Sequence, residues 1–157
     1  MSSLVVFDSS FGNTEKIAVA LGIGLGENVR SAKPEDCDPS NLGPIDLLIV
    51  GSPTQGGRPT PTIKDWLGRI PSGSLKNVGV AAFDTRFDQA SHGFGMRLLL
   101  RLVGFAAPRI AIELEAKGGT LLAPPEGFIV EAKEGPLREG ELDRARAWAR
   151  SISAQRP

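Results

Sequence analysis

A run of small polar residues follows the first apolar segment of the chain, residues 4–7, and leads into a helical pattern. Its side-chain hydrogen-bond donors are Ser9, Ser10, Asn13 and Thr14. Gly12 lets the backbone approach a ligand closely, and the unpaired N–H groups at the start of the following helix attract anions. The run contains no lysine or arginine, so neutral donors would have to hold the anion. This pattern predicts a phosphate-binding loop.

The spacing of this loop differs from two better-known nucleotide loops. The chain has no Gly-x-x-x-x-Gly-Lys-Ser/Thr motif, and no Gly-x-Gly-x-x-Gly follows a predicted strand.

His92, the only histidine, has two readings: a proton donor to a reduced substrate, or a solvent-exposed loop residue. The second is favoured because the surrounding sequence offers it no orienting partner.

Other groups able to do chemistry are scarce. The only cysteine, Cys37, lies between Asp36 and Asp38, whose negative charges disfavour the reactive thiolate. No Cys/His cluster has the spacing of metal ligands. We therefore expect neither a catalytic side chain nor a metal site.

Short continuous apolar runs recur along the chain, and each ends in a loop rich in small polar residues. The predicted strands cover residues 4–7, 28–31, 47–50, 78–83 and 121–123. Continuous rather than alternating apolar runs are typical of strands buried on both faces. Helical patterns alternate with them, which predicts an α/β fold with a doubly wound, five-stranded parallel sheet. We expect a single domain over residues 1–157.

Four helices are predicted between and after these strands. In the first, apolar residues recur every fourth position behind an Asn13-Thr14 cap, although Gly22 and Gly24 each cost about 1 kcal/mol relative to Ala. Pro61 and Pro108 are placed in the first turns of the second and third helices. The apolar face predicted for the last helix is Leu142, Ala145, Ala149 and Ile152.

Three loops, at residues 9–14, 52–60 and 84–89, follow predicted strands and should meet at the carboxyl edge of the sheet. The motifs at these places read Ser-Ser-Phe-Gly-Asn-Thr (9–14), Gly-Ser-Pro-Thr-Gln-Gly-Gly (51–57) and Phe-Asp-Thr-Arg-Phe (83–87), and later segments read Ala-Pro-Pro-Glu-Gly (123–127) and Glu-Gly-Pro-Leu (134–137). In this order, and over nearly the whole chain, these motifs resemble the flavodoxin family.

The resemblance implies a flavodoxin-like sheet with strand order 2-1-3-4-5 and FMN as a non-covalent cofactor. It places the FMN phosphate at Ser9, Ser10, Phe11, Gly12, Asn13 and Thr14. It places the flavin ring between two further groups of residues: Pro53, Thr54, Gln55, Gly56 and Gly57, and Asp84, Thr85, Arg86 and Phe87.

The chain departs from a typical flavodoxin around the ring. Gln55 stands where the family often has tryptophan, and the chain has no tyrosine. Phe87 is either the stacking aromatic or a core residue. Arg58 and Arg86 bring positive charge to loops that are acidic in typical flavodoxins, which predicts a flavin that is easier to reduce.

The leading function implied by the resemblance is electron transfer between a reductase and an acceptor protein. A second class is an FMN-dependent oxidoreductase that passes electrons from NAD(P)H to a small acceptor such as a quinone. A third is a flavin-free module that keeps the fold for binding. The sequence leaves open whether the chain is an enzyme.

Composition limits the partners. The chain of 157 residues carries 18 basic and 18 acidic residues, so no charge excess indicates nucleic acid or a membrane surface. A lone cysteine and the lack of a long apolar segment predict a cytoplasmic protein. Residues 94–103 combine apolar residues with two arginines. They read either as a buried helix with arginines on its rim or as a self-association surface.

Overall fold

The computed structural model describes residues 2–87, 95 and 104–156. Its strands are β1 (Ser3–Phe7), β2 (Val29–Ala32), β3 (Leu47–Pro53), β4 (Gly79–Phe87), β5 (Thr120–Leu121) and β6 (Glu126–Val130). Its α-helices are α1 (Asn13–Leu25), α2 (Pro61–Gly68), α3 (Ala106–Ala116) and α4 (Glu141–Ala154). A short 3-10 helix covers Pro34–Asp36. His92 and the segment 94–103, apart from Gly95, lie outside the described residues.

The sheet is parallel and has the order β2-β1-β3-β4-β5, which confirms the predicted order. Its fifth position is shared by two short strands. β5 pairs with Gly79 and Val80 at the start of β4, and β6 pairs with Phe83 through Phe87 at its end. The chain between β5 and β6 contains Pro124-Pro125, which lacks the N–H donors that a continuous strand needs.

Alternate residues of the central strands pack against opposite helical layers, because successive side chains of a strand point to opposite faces. On one face lie Leu4, Val6, Leu48, Val50, Val80 and Ala82, together with α2 and α3 residues such as Trp66 and Ile110. On the other lie Val5, Phe7, Leu47, Ile49, Ala81 and Phe83, together with α1 and α4 residues such as Leu21 and Ala149. Both faces are buried, as the continuous apolar runs predict.

Helices α1 and α4 pack against each other at Gly24. A Cβ atom built at Gly24 would lie 2.8 Å from the Ala149 Cβ, which is closer than side chains approach. The glycine that lowers the intrinsic stability of α1 therefore allows the two helices to come into contact.

Several details of the predicted elements are wrong. Residues 84–87, predicted as a loop, are the last part of β4, and β6 was not predicted. Helix α1 begins after Gly12, and neither Asn13 nor Thr14 caps it. In α4, Leu142 is 37% exposed and Glu141 is buried in its place.

Glu141 is buried because its carboxylate has strong donors. It accepts hydrogen bonds from the Ile129 N–H (2.7 Å) and from Arg144 (2.8 and 2.9 Å). Partial burial raises the pKa of the Glu141 carboxyl, but these hydrogen bonds outweigh burial and hold the pKa below its ordinary value. The hydrogen bond between Ile129 and Glu141 joins β6 to α4.

The Cys37 thiol is buried beside the 3-10 helix. Burial is the main cause that raises the pKa of this thiol, with a smaller contribution from Asp38 and an opposing one from Arg30. The described helices include none that is both long and apolar enough to cross a membrane.

Candidate functional site

A cavity of about 480 Å³ lies at the carboxyl edge of the sheet, where the predicted loops meet. Its lining residues come from the polar loop, the ends of β3 and β4, and the segment after β6: Ser10, Phe11, Asn13, Thr14, Pro53, Thr54, Gln55, Thr85, Arg86, Phe87, Val130 and Lys133. The structure therefore brings together most of the residues that the sequence singled out. Those outside the lining are Ser9, Gly12, Gly56, Gly57 and Asp84.

Ser9 and Gly12 shape the polar loop instead of lining the cavity. The Ser9 Oγ accepts hydrogen bonds from the Gly12 N–H (3.1 Å) and the Glu15 N–H (3.3 Å). Gly12 has a φ of 89°, a left-handed conformation that favours glycine. This local network turns the chain tightly into α1 and leaves the hydroxyl and amide groups of the following residues at the cavity.

Asp8 and Thr60 tie the polar loop to the start of α2. The Asp8 carboxylate accepts from the Ser9 N–H (2.9 Å) and from the Thr60 hydroxyl (2.6 Å). The same Thr60 oxygen accepts from the Ile63 N–H (3.3 Å) and so caps α2. The Thr60 N–H in turn donates to the Ser52 Oγ (2.9 Å), which holds the loop after β3 in place.

Two side-chain hydrogen bonds join the walls of the cavity. The hydroxyls of Thr14 and Thr85 lie 2.9 Å apart and share a hydrogen bond between α1 and β4. The Gln55 Nε2 donates to the Ser10 Oγ at 3.2 Å, which links the loop after β3 to the polar loop. Residues distant in sequence are thus held around one space.

Asp84, buried behind the cavity wall, forms an ion pair with the partly buried Arg86, which lines the cavity. Arg86 donates to both Asp84 oxygens at 2.6 and 2.8 Å, and the Ala107 N–H donates to one of them at 2.8 Å. Burial raises the pKa of the Asp84 carboxyl, and the contacts with Arg86 only partly oppose this rise. Asp84 is the buried counter-ion of Arg86, so the positive charge that Arg86 brings to this segment is compensated.

The Arg86 guanidinium also has close neighbours on its faces. Its Cζ lies 3.7 Å from the centroid of the Phe105 ring, a cation–π contact. A Cβ atom at Gly127 would overlap the guanidinium, so the β6 backbone approaches Arg86 where only glycine fits. The side chain is held rigidly in the cavity wall.

Exposed aromatic surface borders the cavity. Phe87 is 40% exposed and Phe11 is 49% exposed, although most large apolar side chains in the described chain are buried. Of the two readings of Phe87, this exposure excludes the core residue. Apolar rings left open at a cavity are typical of surfaces that a flat ligand covers.

Gly56 and Gly57 form the tip of a tight turn beside the cavity. Gln55 and Arg58 exchange two backbone hydrogen bonds of 2.9 and 3.1 Å, and the glycines between them have φ values of 57° and 77°. The Gly57 carbonyl accepts from the Arg109 Nε at 3.1 Å. Arg58 points to the other side of this turn, into a second cleft of about 300 Å³ that Lys64, Arg109 and Glu113 also line.

Two lining residues, Val130 and Lys133, were missed by sequence reasoning. Val130 is the last residue of β6, and Lys133 lies three residues after it. The apolar run Phe128-Ile129-Val130 was the sequence signal that could have identified β6 as a strand. The segment after β6 reaches the polar loop, where the Asn13 Nδ2 donates to the Glu134 carbonyl at 3.1 Å. Among the described residues, no cluster of His, Cys, Asp and Glu could hold a metal ion.

The sequence profile of the flavodoxin family matches residues 5–148. This chain belongs to the flavodoxin family. The match spans the polar loop, the two segments that the resemblance places beside the flavin ring (53–57 and 84–87) and most of α4. Family membership assigns FMN as the cofactor and a redox role in electron transfer.

Solved structures show the same fold. Oxidised flavodoxin 2 from Bacillus cereus superposes with a TM-score of 0.77 at 19% identity, and 99% of each chain is covered. Rubredoxin oxygen:oxidoreductase from Desulfovibrio gigas superposes with a TM-score of 0.71 at 21% identity, covering 98% of this chain and 35% of that protein.

A curated relative is the putative diflavin flavoprotein A 5 of Nostoc sp. PCC 7120. It is 37% identical over 70 residues, a match that covers 39% of this chain and 12% of the relative. The chain thus corresponds to a small part of that longer flavoprotein.

Proposed function

We propose that the 480 Å³ cavity holds FMN and that the chain carries electrons between a reductase and an acceptor protein. The supporting observation is the meeting of a cation-free, donor-rich loop at the start of α1 with exposed aromatic and apolar surface in one cavity. The two halves match the two ends of FMN, a phosphate and a flat ring.

The residues present fit this cofactor. The phosphate would be held by the polar loop: Ser9, Ser10, Phe11, Gly12, Asn13 and Thr14, of which Ser9 and Gly12 act by shaping the backbone. The ring would lie among Pro53, Thr54, Gln55, Gly56, Gly57, Thr85, Arg86 and Phe87, with Asp84 acting through Arg86. Bound FMN supplies the redox chemistry, and these residues orient it and exclude water.

Replacing Ser10 with Ala and Thr14 with Val together should lower FMN affinity by at least roughly tenfold. Hydrogen bonds to a charged group contribute about 1.5–3 kcal/mol each, and the double variant removes two hydroxyls that line the cavity. Quenching of FMN fluorescence, titrated with the flavin-free chain, measures the dissociation constant. Ser74→Ala, at an exposed hydroxyl far from the cavity, is the matched control.

Unchanged FMN affinity in the double variant would contradict the placement of the phosphate. The unfolding midpoint of the flavin-free variants shows how much of any effect comes from losing the bond between Thr14 and Thr85. Rapid oxidation of NADH or NADPH by the purified chain alone, with a quinone as acceptor, would contradict the carrier role and favour the oxidoreductase.

The second cleft supports a redox partner with an acidic contact surface. Among the described residues, Arg58, Lys64 and Arg109 line it with one acidic residue, Glu113, and the turn from Gln55 to Arg58 lies between it and the cavity. Positive charge next to the cofactor raises the rate at which an anionic partner arrives, and salt weakens this effect.

Arg58→Glu should slow the oxidation of the reduced, FMN-loaded chain by ferricyanide by about threefold at low ionic strength. The reason is that two units of charge change beside the proposed flavin site. Stopped-flow absorbance at the flavin band measures the rate, and cationic hexaammineruthenium(III) should react faster with the variant. Lys76→Glu makes the same charge change at the opposite edge of the sheet and serves as control. Equal ferricyanide rates in Arg58→Glu and parent would show that the cleft does not steer anions.

A further inference from the structure

Lys133 is the one cavity-lining cation that no described acidic group compensates. Among the residues that the structure describes, two cationic side chains line the cavity, Arg86 and Lys133. Arg86 is bound to Asp84 through both carboxylate oxygens. Lys133 forms no ion pair with any residue that the structure describes, and the other lining residues that it describes are neutral or, like Arg86, charge-compensated.

Lys133 belongs to a short segment that backbone hydrogen bonds hold in place. The segment runs from Glu131 to Arg138 and folds back on itself, with hydrogen bonds from the Glu131 N–H to the Pro136 carbonyl (2.9 Å) and from the Arg138 N–H to the Ile129 carbonyl (2.8 Å). We call residues 131–138 the strap. Its two ends are therefore fixed to β6.

The strap is also attached to the polar loop. The Asn13 amide donates to the Glu134 carbonyl, the neighbour of Lys133. Gly135 packs so closely on Asn13 that a Cβ atom there would lie 2.8 Å from the Asn13 Oδ1, and its φ of 110° favours glycine as well. Lys133 is thus held next to the loop that offers an anion only neutral donors.

We propose that Lys133 supplies the positive charge that the polar loop lacks, so that the protein selects phosphorylated flavin over riboflavin by charge as well as by hydrogen bonding. This inference rests on the proposed placement of FMN in the cavity. A phosphate monoester carries nearly two negative charges at neutral pH, and a lysine on the cavity rim attracts it through space. Such attraction is weakened by salt, whereas neutral hydrogen bonds are not.

Lys133→Met keeps a long apolar side chain and removes the ammonium group. At low ionic strength it should lower FMN affinity by roughly threefold to fivefold, the range of a partly exposed ion pair, and leave riboflavin affinity unchanged. In the parent, added salt should weaken FMN binding, and in Lys133→Met this salt dependence should be smaller. Lys133→Glu should weaken FMN binding further than Lys133→Met.

The test titrates FMN and riboflavin separately with the full flavin-free chain at low and at high salt and follows flavin fluorescence. Lys117→Met is the matched control, because Lys117 lies at the end of α3, outside the cavity lining. The proposal is overturned if the ratio of FMN to riboflavin affinity is the same in Lys133→Met and parent, or if both flavins weaken equally, which indicates an effect on cavity shape. A parent that binds neither flavin would instead reject the proposed function itself.

Discussion

Replacing Arg86 with Met should lower the free energy of unfolding of the flavin-free chain by about 3–5 kcal/mol, the cost of leaving one partner of a buried ion pair unpaired. The Asp84 side chain has no exposed surface, and Arg86 provides two of its short hydrogen bonds. Methionine fills a similar volume over Phe105 but donates nothing. Urea unfolding followed by tryptophan fluorescence measures the loss.

The double variant Asp84→Asn, Arg86→Met is the control for this prediction. It removes both charges, so it should recover much of the stability that Arg86→Met loses. A single variant as stable as the parent would show that Asp84 finds other donors or water when Arg86 is absent. A double variant no more stable than the single one would assign the loss to packing against Phe105.

The same pair gives a pH dependence with a definite sign. Burial holds the pKa of Asp84 above its unfolded value, so between these two pKa values the native chain binds more protons than the unfolded one. This contribution to the free energy of unfolding is therefore present at low pH and is lost as pH rises through the folded pKa. Arg86→Met raises the folded pKa further, so the decline should extend to higher pH, and Asp84→Asn should abolish it.

Phe128→Ala is the second substitution with a large expected effect, a loss of about 3–5 kcal/mol in the free energy of unfolding. The Phe128 ring is fully buried and packs edge-to-face against Phe83 (6.1 Å between centroids) and Trp148 (6.0 Å). The Arg144 guanidinium lies over it at 4.5 Å. Truncation removes the contact that joins β6 to the core and to α4.

Phe87→Ala is the matched control for Phe128→Ala, because it removes the same ring from a neighbouring strand. Phe87 is 40% exposed, so its truncation should cost far less stability in the flavin-free chain while weakening FMN binding. Urea unfolding and flavin titration of both variants separate the two roles. Equal losses of stability would show that the partly exposed Phe87 ring contributes as much to folding as the buried Phe128 ring.

Most of the correct predictions rest on residues that lie close together in the sequence. The polar loop, the continuous apolar runs and the proline and glycine positions follow from backbone chemistry within a few residues, and they predicted the α/β class and the edge of the sheet that holds the cavity. The order of the strands came from the resemblance to a family. This local reasoning fails at β4. The strand is predicted to end at Phe83 because polar Asp84, Thr85 and Arg86 follow, whereas it continues to Phe87.

That error has a physical cause in the third dimension. Asp84 is buried in a strand because the Arg86 side chain and the Ala107 N–H satisfy its charge, and neither partner can be recognised from a hydropathy pattern. β6 was missed because its apolar run is only three residues long, Phe128 to Val130, and two prolines precede it.

The sequence by itself determined the fold class, the loop that offers neutral donors to an anion, and the glycines and aromatics gathered around it, because short-range backbone and burial preferences decide these features. Only the tertiary structure decided which charges remain available. It paired Arg86 with Asp84, turned Arg58 toward a separate cleft and brought Lys133 beside Asn13 from the far end of the chain. Electrostatic interactions depend on distances in space and on burial, and neither can be read from positions along a chain.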